Sequence, residues 1–256
     1  MSGKVQLRQE AVINAVLAGT RDAKELSRQL GVSLITIRRD LNQLSAEGRL
    51  IRTLGGAASV GGHEQELNLS QRKQVYKARK EAIARVAASQ IRSGETVILD
   101  GGTTTGALAQ QLRGRHNLRV ITNNMQVWMT LAHEEGIELI ILGGQVRAVS
   151  WSTLGPLSDA ALRKLSADRA FIGADGIVAG RGICEASLEQ IQLKELMMSQ
   201  SENTSILVDS SKLGRSAQQA WAPLDRVWTL ITDAEATEEQ LAPFRRLAGV
   251  TVTVAP

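Results

Sequence analysis

The stretch SLITIRRDLNQL, residues 33–44, sets an apolar pair beside a basic pair at helical spacing. With 3.6 residues per turn, Ile37, Leu41 and Leu44 fall on one face, which predicts packing against other helices. The opposite face carries Ile35, Arg38, Arg39 and Asn42, with Leu34 at its N-terminal edge. Apolar and basic side chains on one exposed face are typical of a helix that enters the DNA major groove. A solvated basic face on a small helical bundle is the alternative interpretation.

Two further helices are predicted before this stretch. QEAVINAVLAG, residues 9–19, carries apolar residues at i, i+4 spacing and ends in Gly19. In DAKELSRQLGVS, residues 22–33, Asp22 can cap a helix, with Glu25 as in a capping box, and Gly31 can end it. Ser33 is then placed to cap the third helix. Helix, glycine-containing turn and helix form the helix-turn-helix pattern.

A two-stranded wing is predicted after the third helix. In EGRLIRTLGGA, residues 47–57, Gly48 ends the helix and basic residues then alternate with apolar ones, as in a strand with one buried face. The pair Gly55 and Gly56 predicts a turn. A wing in this position places Arg49 and Arg52 near the DNA backbone, where contacts orient the protein without reading the base sequence.

The segment VSLITIRRDLNQLSAEGRLIRTLGGA, residues 32–57, resembles the signature of the DeoR-type family of bacterial transcriptional repressors. The matching positions are Ser33, Thr36, Ile37, Arg38, Arg39, Asp40, Leu41, Gly48, Gly55 and Gly56. The resemblance extends along nearly the whole chain and implies a repressor whose partner is double-stranded operator DNA. The predicted DNA-binding residues are Ser33, Leu34, Ile35, Thr36, Arg38, Arg39, Asn42, Arg49 and Arg52.

Charge is concentrated near the start of the chain. Residues 1–57 hold nine Lys or Arg against five Asp or Glu, whereas the rest of the 256 residues hold 21 of each. A small basic module beside a neutral one suggests a polyanion partner, although an excess of four charges can also arise by chance.

Composition excludes several classes of protein. No apolar run approaches the roughly 18–20 residues of a membrane span, and the first ten residues do not resemble a secretory signal. One cysteine and three scattered histidines argue against a disulfide framework and against a His/Cys metal site. We therefore expect a cytoplasmic protein with no cofactor and no metal.

From about residue 76, predicted helices and strands alternate, which indicates βαβ units and a mostly parallel sheet with helices on both faces. The expected fold class is α/β, with a winged helix-turn-helix domain over residues 1–57, a linker over 58–75 and an α/β domain over 76–256. The family resemblance implies that this last domain is similar to ribose-5-phosphate isomerase and binds a phosphorylated sugar as effector.

Small, polar and charged residues follow five of the predicted strands, where open α/β sheets bind ligands. In DGGTTT, residues 100–105, the glycines let backbone N–H groups approach a ligand, and the following helix N-terminus favours an anion. The spacing matches neither the dinucleotide fingerprint nor the Walker loop, and an ordinary turn with capping threonines is the alternative. By itself the loop chemistry indicates only a small polyhydroxylated anion.

Within these loops, Lys212 is expected to neutralise a phosphate, and Asp100 and Asp175 to accept sugar hydroxyls. The candidate effector-binding residues are Asp100, Gly101, Gly102, Thr103, Thr104, Thr105, Thr122, Asn123, Asn124, Gly143, Gly144, Asp175 and Lys212.

An enzyme is the main alternative. GADG, residues 173–176, resembles part of the DGADE loop of ribose-5-phosphate isomerase, whose chemistry needs two carboxylates and a nearby lysine. Ile172 stands at the first carboxylate and Gly176 at the last acidic position. Since isoleucine cannot exchange a proton, we predict no catalytic residue and no enzyme activity. An isomerase-like enzyme with a DNA-binding arm and a DNA binder without a ligand remain the alternatives.

Two further expectations concern the charges of one helix and the assembly of the chain. Lys194 and Glu195 are interpreted as ordinary surface charges of a helix. A single helix-turn-helix reads only a few base pairs, so we expect a homodimer or homotetramer.

Overall fold

The computed structural model describes residues 3–17, 20, 22–46, 50–53, 56–59 and 69–256. The chain divides into two units, Met1–Val75 and Tyr76–Pro256, and each has its own core.

The first unit contains the predicted helix-turn-helix. Its elements are α1 (Gly3–Leu17), α2 (Ala23–Leu30), α3 (Leu34–Ala46), β1 (Leu50–Thr53), β2 (Gly56–Ser59) and α4 (Leu69–Gln74). Asp22 caps α2 by accepting the N–H groups of Lys24 and Glu25, and Gly31 ends the helix in the left-handed region at φ 62°. Both predicted ends of α2 are therefore confirmed.

The buried face of α3 is the predicted one. Ile37, Leu41 and Leu44 are fully buried and share a core with Val12 of α1 and Leu26 of α2. The predicted wing is also present, since β1 and β2 pair antiparallel over four residues each.

The predicted linker, residues 58–75, contains regular structure. Strand β2 continues to Ser59, and α4 lies within the range. Leu69 is buried, and Gln71 donates to the side chain of Asn14 on α1 at 3.2 Å, so these contacts attach α4 to the first unit. Predicted turn residues Gly19, Gly48 and Gly55 lie outside the described residues.

The second unit alternates helices and strands. Its elements are α5 (Lys77–Ser89), β3 (Thr96–Leu99), α6 (Thr103–Leu112), β4 (Leu118–Thr122), α7 (Met125–Leu131), β5 (Ile137–Ile141), β6 (Gln145–Arg147), β7 (Ser152–Leu154), α8 (Pro156–Leu162), β8 (Ala167–Gly173), β9 (Gly176–Val178), β10 (Gly182–Glu185), α9 (Leu188–Ser199), β11 (Ser201–Leu207), β12 (Ala220–Ala222), β13 (Trp228–Asp233), α10 (Glu238–Arg245) and β14 (Val250–Ala255). The main sheet has seven strands in the order β14-β13-β11-β8-β3-β4-β5, and every neighbouring pair is parallel. The predicted parallel α/β sheet is thus confirmed.

Helices cover both faces of this sheet. Successive residues of a strand point to opposite faces, and accordingly Ile98 and Leu99 belong to different core clusters. The Leu99 cluster includes residues of α5, α6 and α7, whereas the Ile98 cluster includes residues of α8, α9 and α10. The result is a three-layer α/β/α arrangement.

Five short strands were not predicted. β6 and β7 form a hairpin, and β9, β10 and β12 form a small antiparallel sheet. Each has only three or four residues, too few to show the alternation from which strands are predicted. Across the described ranges, no helix is both long and apolar enough to cross a membrane.

The turn between β9 and β10 offers a matched test of the small sheet. Gly180 and Gly182 both have positive φ, at 76° and 110°, but a Cβ on Gly182 would lie 2.0 Å from the carbonyl oxygen of Ala222, whereas one on Gly180 would meet nothing within 4 Å. We predict that Gly182→Ala lowers the free energy of unfolding by about 2–4 kcal/mol, against about 1 kcal/mol for Gly180→Ala. Urea denaturation measures both, and equal losses would contradict the packing of β12 on β10.

Candidate functional site

The exposed face of α3 carries Ile35, Arg38, Arg39 and Asn42. Ile35 is 81% exposed, so its apolar side chain faces solvent. Leu34 is half-buried and packs against the core of the first unit. The two faces of α3 therefore fall as the sequence predicted, while Leu34 belongs partly to the core.

The first turn of α3 is held by a hydroxyl cap. Ser33 Oγ accepts the backbone N–H of Thr36 at 3.2 Å, and the two hydroxyl oxygens lie 2.8 Å apart. The predicted cap is confirmed, and both side chains serve the helix itself.

A buried ion pair joins α3 to α1. Asp40 is 2% exposed and accepts two hydrogen bonds from the Arg8 guanidinium, at 2.6 and 3.0 Å. The hydrogen bond to Asp40 raises the pKa of Arg8 above its ordinary value. This pair fixes the orientation of α3 on α1. Arg49 and the side chain of Arg52 lie outside the described residues.

In the second unit, the five loops predicted to bind a ligand follow neighbouring strands of the main sheet. They follow β3, β4, β5, β8 and β11, which are adjacent in the sheet. From β3 the chain continues outward through β4 to β5, and later returns to the other side of β3 with β8. Such a reversal of strand order opens a crevice at the carboxyl ends of the two central strands.

The glycine-threonine loop, residues 100–105, has its carbonyl groups turned inward. The Thr105 hydroxyl is the donor to the carbonyl oxygens of Asp100 and Gly102, which lie 2.7 and 3.0 Å from Oγ1. Asn124 Nδ2 donates to the same two carbonyls at 3.1 and 2.9 Å. Because the C=O and N–H of a trans peptide point in opposite directions, the N–H groups of Gly101 and Thr103 point away from Asn124.

The N–H groups of this loop are available. Over the described part of the chain, the backbone N–H groups of residues 101–105 find no acceptor. The last three belong to the first turn of α6, whose N-terminus carries a partial positive charge. Gly101, Gly102 and Thr103 are half-exposed, whereas Thr104 and Thr105 are buried. The loop can therefore receive a small anion from the solvent side.

Behind the loop lies the charge cluster, formed by Asp100, Glu185 and Lys194. Their side chains are only 3–4% exposed. Lys194 Nζ donates to Asp100 Oδ2 and to the carbonyl of Gly173 at 2.9 Å, and it forms an ion pair with Glu185 Oε1 at 3.0 Å. The interpretation of Lys194 as a surface charge is wrong, because α9 is buried on this side between the sheet and β10. Glu195, the next residue, is exposed as predicted.

The charges of the cluster depend on one another. Burial alone would lower the pKa of Lys194, but the carboxylates of Asp100 and Glu185 outweigh it and hold that pKa above its ordinary value. Burial raises the pKa of Glu185 to about 7, although Lys194 opposes the shift. The raised pKa of Lys194 favours its charged form, whereas Glu185 can change its charge near neutral pH.

The loops after β8 and β11 complete the central crevice. Lys212 is half-buried, and its Nζ donates to the carbonyl of Ala174 at 2.5 Å. Asp175 is half-buried and accepts a hydrogen bond from Gln218 at 3.3 Å. Gly173, just before them, donates its N–H to Asp100 Oδ2 at 3.0 Å. Asp100 therefore accepts donors from the protein itself, a role that the sequence did not predict.

The remaining candidate residues mainly build the walls. Thr122 Oγ1 donates to the carbonyl of Leu99 at 2.6 Å, and the buried Asn123 amide donates to the carbonyl of Thr153 at 3.0 Å. A Cβ on Gly144 would lie 2.4 Å from the carbonyl oxygen of Leu154, so this glycine permits close packing of β7. Gly143 is exposed and lies in the loop after β5, the edge strand of the sheet. In the ranges that are described, no three His, Cys, Asp or Glu side chains are grouped as metal ligands would be.

Comparison with known proteins covers both units. The family model described as the DeoR-like helix-turn-helix domain matches residues 8–61, and the DeoR C terminal sensor domain matches residues 76–234. The chain is 35% identical over 228 residues to the uncharacterized HTH-type transcriptional regulator YulB of Bacillus subtilis (strain 168), covering 89% of this chain and 88% of that one. It is 32% identical over 216 residues to the glycerol-3-phosphate regulon repressor of Escherichia coli (strain K12), covering 84% and 85%. Ribose 5-phosphate isomerase A of Methanocaldococcus jannaschii matches with a TM-score of 0.40 and 18% identity over 53% of this chain and 54% of that one.

The hydrogen bonds that hold the carbonyl groups of the glycine-threonine loop can be tested by replacing Asn124. Asn124 donates to the buried carbonyl of Asp100 and the partly buried carbonyl of Gly102, and it caps α7 by accepting the N–H of Gln126 at 2.9 Å. Asn124→Ala is expected to lower the free energy of unfolding by about 2–4 kcal/mol, since buried acceptors lose their donor and the helix loses its cap. Asn203→Ala is the control, because the exposed Asn203 amide also donates to one carbonyl, that of Asp168. A loss within about 0.5 kcal/mol is expected there, and similar losses in both variants by chemical denaturation would contradict the role of Asn124.

Proposed function

This chain belongs to the DeoR family of DNA-binding transcriptional regulators, and from that membership we propose a repressor whose operator binding responds to a phosphorylated sugar in the central crevice. The observation that carries the effector assignment is the run of N–H groups at residues 101–105, at the N-terminus of α6, that find no acceptor among the described residues.

Operator recognition is assigned to the exposed face of α3. Arginine can pair with guanine or with phosphate, asparagine with adenine, and an exposed isoleucine can contact a thymine methyl group. Arg38 and Arg39 lie one turn after Ile35, and Asn42 one turn further, so they follow one groove-facing line. Ser33, Leu34 and Thr36 position the helix through the cap and the core. Arg49 and Arg52 are assigned to phosphate contacts of the wing.

The phosphate of the effector is assigned to the glycine-threonine loop. Several N–H donors and the N-terminus of a ten-residue helix stabilise a negative charge without a bound metal. Lys212, whose Nζ reaches the β8 loop, supplies a cation, and Asp175 is assigned to a sugar hydroxyl. The relative named for the glycerol-3-phosphate regulon supports a phosphorylated polyol as the ligand class.

Regulation follows from linkage between the two ligands. If the effector binds one state of the protein better than another, it shifts the population that is competent for DNA by that difference in affinity. We assign this function to a homodimer or homotetramer in the cytoplasm, because a symmetric pair of recognition helices doubles the length of operator that is read.

Catalysis is not part of the proposal. The relatives named above are transcriptional regulators. Ile172, which stands at the first carboxylate position of the isomerase loop, is fully buried in the apolar core. Lys194 is paired with two carboxylates that raise the pKa of its ammonium, so we do not assign it as a base.

Replacing Arg38 or Arg39 tests the DNA face. Each alanine variant is expected to weaken operator binding by about 1–3 kcal/mol if the arginine contacts a base, and to weaken binding to all sequences with a flatter salt dependence if it contacts phosphate. Titrations of operator and unrelated DNA at several salt concentrations separate the two cases. Arg163→Ala removes an equal charge from an exposed site in the other unit and should leave affinity unchanged. Wild-type affinity in both α3 variants would refute the assignment.

Replacing Lys212 tests the effector site. Loss of one charge-assisted hydrogen bond to phosphate should weaken binding of sn-glycerol 3-phosphate and related sugar phosphates by about tenfold to a hundredfold. Operator affinity without effector should stay near the wild-type value. Calorimetric titrations of both ligands check this, with Lys164→Ala, at an exposed position, as control. Unchanged effector affinity places the phosphate elsewhere, and a joint loss of both affinities makes Lys212 structural.

A further inference from the structure

The charge cluster contains two carboxylates and only one cation. Lys194 contacts both carboxylates, and all three side chains are at most 4% exposed. With every group ionised, the cluster carries one net negative charge away from water. Because an uncompensated buried charge raises the free energy of the folded protein, the protonated form of one carboxyl group in the cluster is favoured.

Hydrogen bonding indicates which carboxyl group takes the proton. Asp100 Oδ2 accepts both the Lys194 ammonium and the N–H of Gly173, and both donors favour the carboxylate form. Among the described residues, the Glu185 carboxylate has only the ion pair with Lys194 and no backbone N–H donor. Burial raises the pKa of Glu185 to about 7, which agrees with this assignment.

The charges that face Glu185 come from three elements. Lys194 on α9 is the cation, and Asp100 after β3 and Asp175 after β8 are the anions. Strand β12 places the uncharged Ala220 opposite Glu185. The preceding residue, Cys184, keeps its thiol neutral, because burial raises the pKa of that thiol to about 11. Two carboxylates therefore oppose the ionisation of Glu185, and one ammonium favours it.

The cluster adjoins the loop assigned to phosphate. Asp100 immediately precedes Gly101, and a Cβ on Gly173 would lie 3.7 Å from both Asp100 Oδ2 and the carbonyl oxygen of Gly101. Because Asp100 belongs to both the loop and the cluster, a divalent anion on the loop would lie close to the charges of the cluster. Its field would disfavour the charged form of Glu185 further.

Resting on the proposed phosphate site, we propose that binding of a divalent anion to the glycine-threonine loop is coupled to the uptake of one proton by Glu185. The proton comes from the buffer and converts the Glu185 carboxylate to the acid, while Lys194 keeps its charge and its bond to Asp100. Below the pKa of Glu185 in the free protein the proton is already bound, and affinity does not change with pH. Above it the proton must be taken up, so affinity falls as pH rises.

Sulfate is the suitable probe, because it remains a dianion from pH 7 to 9. Calorimetric titration of the full chain is expected to show sulfate affinity falling by about threefold to tenfold between pH 7 and pH 8.5. Glu185→Gln, which mimics the protonated acid, should bind sulfate with constant affinity and more tightly than wild type at pH 8.5. Glu195→Gln, at an exposed position of α9, should keep the wild-type pH profile.

A second measurement does not depend on any variant. At pH 7.5, the wild-type binding enthalpy in two buffers of different ionisation enthalpy should reveal uptake of a fraction of one proton. Zero uptake, or a wild-type profile as flat as that of Glu185→Gln, overturns the coupling and leaves the phosphate site standing. Failure of sulfate to bind wild type, or binding unchanged in Lys212→Ala, overturns the phosphate site and the coupling with it.

Discussion

Hydrogen bonds between β3 and β8 hold the last residues of two strands side by side, at the point where strand order reverses. The Gly173 N–H reaches Asp100 across this junction, and Lys194 from α9 binds both partners. The position of the glycine-threonine loop follows from this junction, because residue 100 is both the end of the strand and the start of the loop. Everything assigned to the crevice depends on these few contacts.

Much of the fold could be predicted because its signals are local. Strands such as Thr96–Leu99 are continuous apolar runs, typical of a parallel sheet that is buried on both faces. The ends of α2 follow from Asp22 and Gly31 alone. The loops at strand ends could be predicted for the same reason, since parallel strands that alternate with helices must place all their carboxyl ends at one edge.

The charge cluster could not be predicted in this way, because Asp100 and Lys194 are 94 residues apart in the chain and meet only through the sheet. One local signal was available. Ile191, Leu193, Leu196 and Met197 are spread around α9, and a helix that is apolar on most sides is buried on most sides. A lysine in such a helix is more readily a buried, paired cation than a surface charge. In the first unit, Asp40 shows the same principle, since its partner Arg8 is supplied by another helix.

Thr105 and Asn124 donate hydrogen bonds to the carbonyls of residues 100 and 102. This arrangement has an evolutionary consequence. The donors that face the crevice belong to the main chain, which every residue except proline possesses. Substitution of the half-exposed Thr103 would alter the shape and polarity of the crevice while the same N–H groups stay in place. A lineage could therefore change the shape of this crevice by substitution and retain the same main-chain donors.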